Sequence, residues 1–143
     1  MKQFKDIKKK LEWEDYYDPT FDWNNLSFYE NNNLSEDFIK EFKNEVCWIM
    51  ISRYQTLSEE FIREFKNEVD WFYISKYQTL SEDLIREFQN KVDWWFISTY
   101  QKLSENFIRE FKNKVNWDEV SKYQTLSENF KKEFKDKTLH FKF

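Results

Sequence analysis

Glycine is missing altogether from the 143 residues, and proline, cysteine and histidine occur once each, as Pro19, Cys47 and His140. Without glycine no glycine-rich phosphate loop can form. A single cysteine excludes an intrachain disulfide, so stability has to come from packing. One histidine and one cysteine, far apart in sequence, supply neither a metal cluster nor a histidine-based catalytic set. Long apolar runs are missing too. No window approaches the roughly 18 apolar residues of a membrane span, and the opening MKQFKDIKKKLEWED has a basic stretch without the apolar centre of a signal peptide. An excess of one charge is also absent: 23 Lys and Arg stand against 27 Asp and Glu, which leaves no broad basic footprint for nucleic acid. The expectation is a soluble cytoplasmic protein with no enzymatic role, no cofactor, no metal and no membrane contact.

What the chain does hold is aromatic side chains and a repeat. Trp, Tyr and Phe make up 22% of the residues, which argues against disorder and for a buried core. From Leu34 onward the sequence returns to itself every 23 residues: Leu34, Leu57, Leu80, Leu103 and Leu126 share one phase, and Trp48, Trp71, Trp94 and Trp117 another. A periodic chain reads as a stack of equivalent units. The expected fold is all-α, a short tandem helix-pair repeat solenoid. Residues 1–33 form a degenerate N-terminal capping region, 34–125 four full repeats, and 126–143 a C-terminal half-repeat and cap.

In the unit LSEEFIREFKNEVDWFYISKYQT, the residues Phe61, Ile62, Phe65 and Val69 share one helical face, which predicts an amphipathic helix of about three turns capped by Ser58. A second helix of about two turns follows, capped by Asp70, with Trp71, Ile74 and Tyr77 expected inward. Neither helix is long enough to persist alone, so neighbouring units must bury them. Residues retained in every unit are read as scaffold, and the tryptophans as packing groups. Glu41, Glu64, Glu87, Glu110 and Glu133 recur at the edge of the apolar face. They are either a solvated row or unit-to-unit ion pairs, which contribute little when exposed. Before Leu34, the residues Phe4, Ile7, Leu11 and Trp13 echo the first helix. Asp22, Trp23, Leu26 and Ser27 echo Asp70, Trp71, Ile74 and Ser75 with two extra residues before Leu34. In the tail Leu139, Phe141 and Phe143 alternate, and His140 stands at the tryptophan phase.

The positions where the units disagree carry the functional reading. Directly after successive tryptophans come Ile49 and Met50, Phe72 and Tyr73, Trp95 and Phe96, and then the polar Asp118 and Glu119. With Trp71 at zero on a helical wheel, Phe72 points to about 100° and Ile74 to about 300°, so Phe72 should lie outside the core of its own unit. Repetition would set Ile49, Phe72 and Trp95 along one side, with Met50, Tyr73 and Phe96 beside them. Such an apolar stripe is a binding surface for a protein partner, a homodimer contact, or a face buried inside the stack. Cys47 replaces a capping residue, as a weaker cap or as a thiol at a helix start. Arg63, Arg86 and Arg109 recur in register, but Glu59, Glu82 and Glu105 precede them by four residues and blunt any phosphate-tracking ridge. A protein-binding module is therefore preferred to a nucleic-acid-binding repeat or a self-associating structural protein.

The words LSEEFIREFKNEVDW and ISKYQTLSE over residues 34–137 resemble short tandem repeats of unassigned function in proteins of large DNA viruses, bacteriophages and some bacteria. The resemblance implies no catalytic residues. It implies a viral or mobile-element origin, with a host factor as the partner and the host cytoplasm as the place of action.

Overall fold

Serine and aspartate at fixed phases decide where the helices start. The hydroxyls of Ser35, Ser58, Ser81, Ser104 and Ser127 accept the N–H groups of Phe38, Phe61, Leu84, Phe107 and Phe130, satisfying donors that a helix start leaves open. Asp70, Asp93 and Asn116 cap the second helices in the same way. Cys47 stands at that position in its own repeat, and its side chain caps nothing.

The computed structural model describes residues 23–31, 33–137 and 139–141, among which there are helices and turns but no strand. The chain divides into two compact units, residues 1–69 and 70–143. The described helices of the first are α1 (Leu26–Asn31), α2 (Glu36–Glu41), α3 (Trp48–Tyr54) and α4 (Glu59–Glu64). Those of the second are α5 (Trp71–Tyr77), α6 (Glu82–Glu87), α7 (Trp94–Tyr100), α8 (Glu105–Glu110), α9 (Trp117–Tyr123) and α10 (Glu128–Glu133). This is the all-α helix-pair repeat expected from the sequence. The expected echo of a first helix at Phe4, Ile7, Leu11 and Trp13, together with Asp22 and Phe143, lies outside the described residues.

The first helix of each pair is shorter than its apolar pattern predicts. α4 has six residues and ends at Phe65, where the backbone turns to φ −108° and ψ 30°. A separate turn follows, in which the Phe65 carbonyl accepts the N–H groups of Glu68 and Val69, each at 3.0 Å. Phe65 and Val69 both remain in the core, so the pattern is apolar throughout although the helix is not continuous. The retained tryptophan satisfies part of the break: the indole N–H of Trp94 donates to the Gln89 carbonyl at 3.0 Å, and that of Trp117 to Lys112 at 2.9 Å.

The second helices also face the core differently from the expectation. Tyr77, expected inward, and its equivalents Tyr100 and Tyr123 are 45%, 54% and 60% exposed. The buried positions of α5 are Ile74 and Ser75, followed by Gln78 just past its end. The inward stripe therefore steps by three and four residues and includes two polar side chains.

Those polar groups are buried because they hold one repeat to the next. In the second unit the Ser75 hydroxyl donates to the Trp71 carbonyl at 2.7 Å and accepts the Asp93 N–H at 2.9 Å. Gln101 accepts the Leu80 N–H at 3.0 Å, while its amide nitrogen donates to the carbonyls of Ser75 at 3.1 Å and Gln78 at 2.8 Å. Ser98 and Gln124 repeat the arrangement one unit later. Glutamine is suited to the place because one side chain supplies both the acceptor and the two donors that adjoining backbones need. No buried side-chain nitrogen or oxygen among the described residues is left without a partner.

Aromatic packing completes the stack. Within the second unit, Trp71 packs on Phe88 (4.7 Å between ring centres), Trp94 on Phe111 (5.1 Å) and Trp117 on Phe134 (4.8 Å). At the end of this series Phe141 is buried and meets Trp117 edge-on at 6.4 Å. Leu139 is fully exposed, and residues 139 and 140 form a turn rather than the alternating segment suggested by their pattern.

In the first unit the repeat continues upstream of Leu34 through a substitution that the sequence reading misplaced. Ser27 was matched to Ser75, but the equivalent hydroxyl belongs to Tyr29. Its OH donates to the Trp23 carbonyl and accepts the Cys47 N–H, at 2.8 and 2.7 Å. Gln55 accepts the Leu34 N–H at 2.7 Å and donates to the Tyr29 carbonyl at 2.8 Å, as Gln101 does with Leu80 and Ser75. Trp23 packs on Phe42 at 5.5 Å, as Trp48 does on Phe65 at 5.0 Å. Trp23 precedes Tyr29 by six residues, whereas Trp71 precedes Ser75 by four. The longer tyrosine side chain spans those two additional residues.

Candidate binding surface

The expected surface rests on residues that immediately follow each tryptophan. A helix that turns Trp71, Ile74, Ser75 and Gln78 inward must turn the next residue after Trp71 outward. Phe72 is 47% exposed, Trp95 44% and Ile49 46%. The neighbouring Met50 and Tyr73 are half-buried. Phe96 departs from the expectation: only 8% of it is exposed. The Phe72 ring meets it edge-on at 4.6 Å and Tyr100 stacks on it at 6.0 Å, so Phe96 is the floor beneath the displayed rings.

In the second unit, where α5 and α7 lie side by side, these rings form one cluster. Phe72 touches Tyr73 at 5.1 Å, Tyr73 stacks on Tyr77 at 6.1 Å, and Trp95 lies 5.0 Å from Phe96 and 6.5 Å from Tyr100. The exposed tyrosines of the repeat thus belong to the displayed surface as well as to the repeat pattern. Reading retention across units as a sign of burial hid them, although their polar tips were a usable signal. In the first unit Ile49 and Met50 lie on α3, where the Arg53 guanidinium sits 4.9 Å from the Tyr54 ring.

Charged residues frame the cluster. Lys76 on α5 places its ammonium 5.0 Å from the Tyr77 ring centre and 5.3 Å from that of Phe96. On α9 the aromatic pair is replaced by Asp118 and Glu119. Glu119 is buried and lies 3.3 Å from Lys122 and 3.2 Å from the Thr99 hydroxyl. His140 stands 3.7 Å from Asp118 on the exposed side of the same helix.

The first helices present a charged surface in which cations meet carboxylates. Arg86 binds Glu110 at 2.8 Å and Asp83 at 2.9 Å, and Arg109 binds Glu133 at 2.9 Å. In the first unit Lys40 binds Glu64 at 2.7 Å. Glu64, Glu110 and Glu133, of the recurring glutamates, therefore form repeat-to-repeat ion pairs. Hydrogen bonding to Glu110 and Glu133 raises the pKa values of Arg86 and Arg109, respectively, and Glu64 does so for Lys40. Arg86 and Arg109 also lie over the Phe107 and Phe130 rings, at 5.1 and 4.8 Å. Glu59, Glu82 and Glu105 each lie within ion-pair reach of the arginine four residues later. Glu105 also accepts the Ser127 N–H at 2.6 Å; this backbone bond, then the Ser127 hydroxyl and Arg109, pull its pKa below the ordinary carboxylate value.

Among the described residues no group of three or more His, Cys, Asp or Glu side chains is placed to hold a metal ion. No described helix is long and apolar enough to cross a membrane. Cys47 is half-buried, with its backbone N–H on Tyr29. Comparison with family models, curated proteins and solved structures finds no match, and the tandem arrangement of short helices is that of a generic helical repeat.

Proposed function

We propose that this chain is a non-catalytic protein-binding repeat module and that its partner is held by the aromatic face of α5 and α7. The carrying observation is the exposure of Phe72 and Trp95, nearly half each, on helices whose fully buried residues are Ile74, Ser75, Ile97 and Ser98. Large aromatic side chains brought together at a surface are the residue types that anchor protein interfaces. Ile49 and Met50 occupy the same phases on α3 and extend the reading to the first unit. Phe96 supports the displayed rings from below.

A nucleic-acid partner fits less well. Of the arginines in register, Arg86 and Arg109 are bound to carboxylates on neighbouring helices and Arg63 to Glu59 on its own, whereas phosphate binding relies on cations that exchange only small counterions. The resemblance to viral and phage repeats points to a host protein as the partner, met in the host cytoplasm. The test is capture from a cell extract with the wild-type chain and with Phe72→Ser/Trp95→Ser. The expected result is a protein retained by the first and lost from the second. The same protein retained equally by both would place the working surface elsewhere.

A further inference from the structure

The aromatic face has an electrostatic character that narrows its occupant. Within α5 and α7 the only charged side chain is Lys76, among the sequences WFYISKY and WWFISTY. Its ammonium lies over Tyr77 and Phe96, and among the described residues it meets no carboxylate. Lys122, at the same phase on α9, is instead paired with Glu119. Of the acids nearest in sequence, Asp70 accepts backbone N–H groups at the opposite end of α5, and Glu82 and Asp83 on α6 face Arg86. Lys76 is thus a cation fixed by rings on an apolar surface, with its counter-charge missing.

We infer that the occupant of the α5–α7 face is an apolar protein segment bearing an Asp or Glu side chain, and that Lys76 receives that carboxylate. The inference rests on the protein-binding reading above. An apolar segment covering Phe72, Trp95 and the tyrosines removes water from around Lys76, and an unpaired cation left there opposes binding. A carboxylate on the segment removes that opposition and fixes its register. A single-stranded nucleic acid is disfavoured by number: each stacked base brings a phosphate, whereas α5 and α7 hold one cation and α9 adds Asp118 and Glu119.

The experiment is a selection of short random displayed peptides on the full chain, on Lys76→Met and on Phe72→Ser/Trp95→Ser. Methionine keeps the apolar stem and removes the charge. Wild type is expected to enrich peptides that combine aromatic or aliphatic residues with Asp or Glu, and Lys76→Met should bind these about tenfold more weakly and enrich apolar peptides without the acidic excess. The double variant should enrich neither. Wild-type peptides free of acidic excess and bound equally by Lys76→Met would overturn the inference while leaving the protein-binding reading intact. Peptides bound equally by the double variant would overturn both. Displacement of selected peptides by equimolar oligothymidylate, or a wild-type dimer that the double variant dissolves, would assign the face to nucleic acid or to a second copy and would likewise overturn the inference.

Discussion

α7 and α9 are built alike and present opposite surfaces. Each begins with a tryptophan whose indole N–H reaches back to a turn carbonyl, buries an aliphatic residue three positions on, and ends beside a glutamine that holds the preceding repeat. Between these shared points α7 displays Trp95 over Phe96, whereas α9 carries Asp118 and Glu119. The same frame accepts an aromatic or an acidic pair. The repeat therefore separates two tasks: Trp, Ile or Val, Ser and Gln make the stack, and the residues after Trp are available for something else.

The comparison is broken most severely by attacking what the two helices share. Ile97→Ala removes a fully buried side chain from α7 and should cost about 2–5 kcal/mol in denaturant unfolding. Gln101→Leu should cost about 1–3 kcal/mol, because the Leu80 N–H and the Ser75 and Gln78 carbonyls lose their partner. A loss under about 0.5 kcal/mol, within the range of ordinary surface substitutions, would show that the buried glutamines are passengers. Cys47→Asp sharpens the comparison from the other side, by giving α3 the cap that α5 and α7 already have. It should raise stability by about 1 kcal/mol.

A smaller effect comes from the carboxylates that join first helices. Glu105 has a lowered pKa in the folded chain, caused first by the Ser127 N–H. Its contribution is fully present above its unfolded pKa and is lost as pH falls through the folded value. Wild type should exceed Glu105→Gln in thermal stability at neutral pH, and the gap should close on acidification through and below the carboxylate range. A gap independent of pH would contradict that linkage.

Much of this was legible in the sequence because the repeat compares itself. The 23-residue phase, the serine and aspartate caps, and the outward direction of Phe72 and Trp95 followed from spacing alone. Four features did not. Ser75 and Gln78 received no role from spacing, although the recurrence of both in every full repeat is the signal of a shared structural role. Tyr77 was placed inward because retention was equated with burial; a ring that lies on Tyr73 and under Lys76 can be retained at the surface. Tyr29 escaped notice because its hydroxyl replaces that of a serine from a longer side chain, which no residue-by-residue match detects. The break after Phe65 was hidden for a related reason, since a turn can keep Phe65 and Val69 inward as well as a helix can.

Displayed and scaffold residues on one helix are expected to be separable. The most direct test is the denaturant midpoint of Phe72→Ser/Trp95→Ser set against wild type and Ile97→Ala. The double variant gives up part of the exposed ring contacts and some helix propensity, so it should lie within about 1 kcal/mol of wild type and clearly above Ile97→Ala. A double variant that unfolds as readily as Ile97→Ala would mean that the aromatic face is part of the scaffold, and would contradict that expectation.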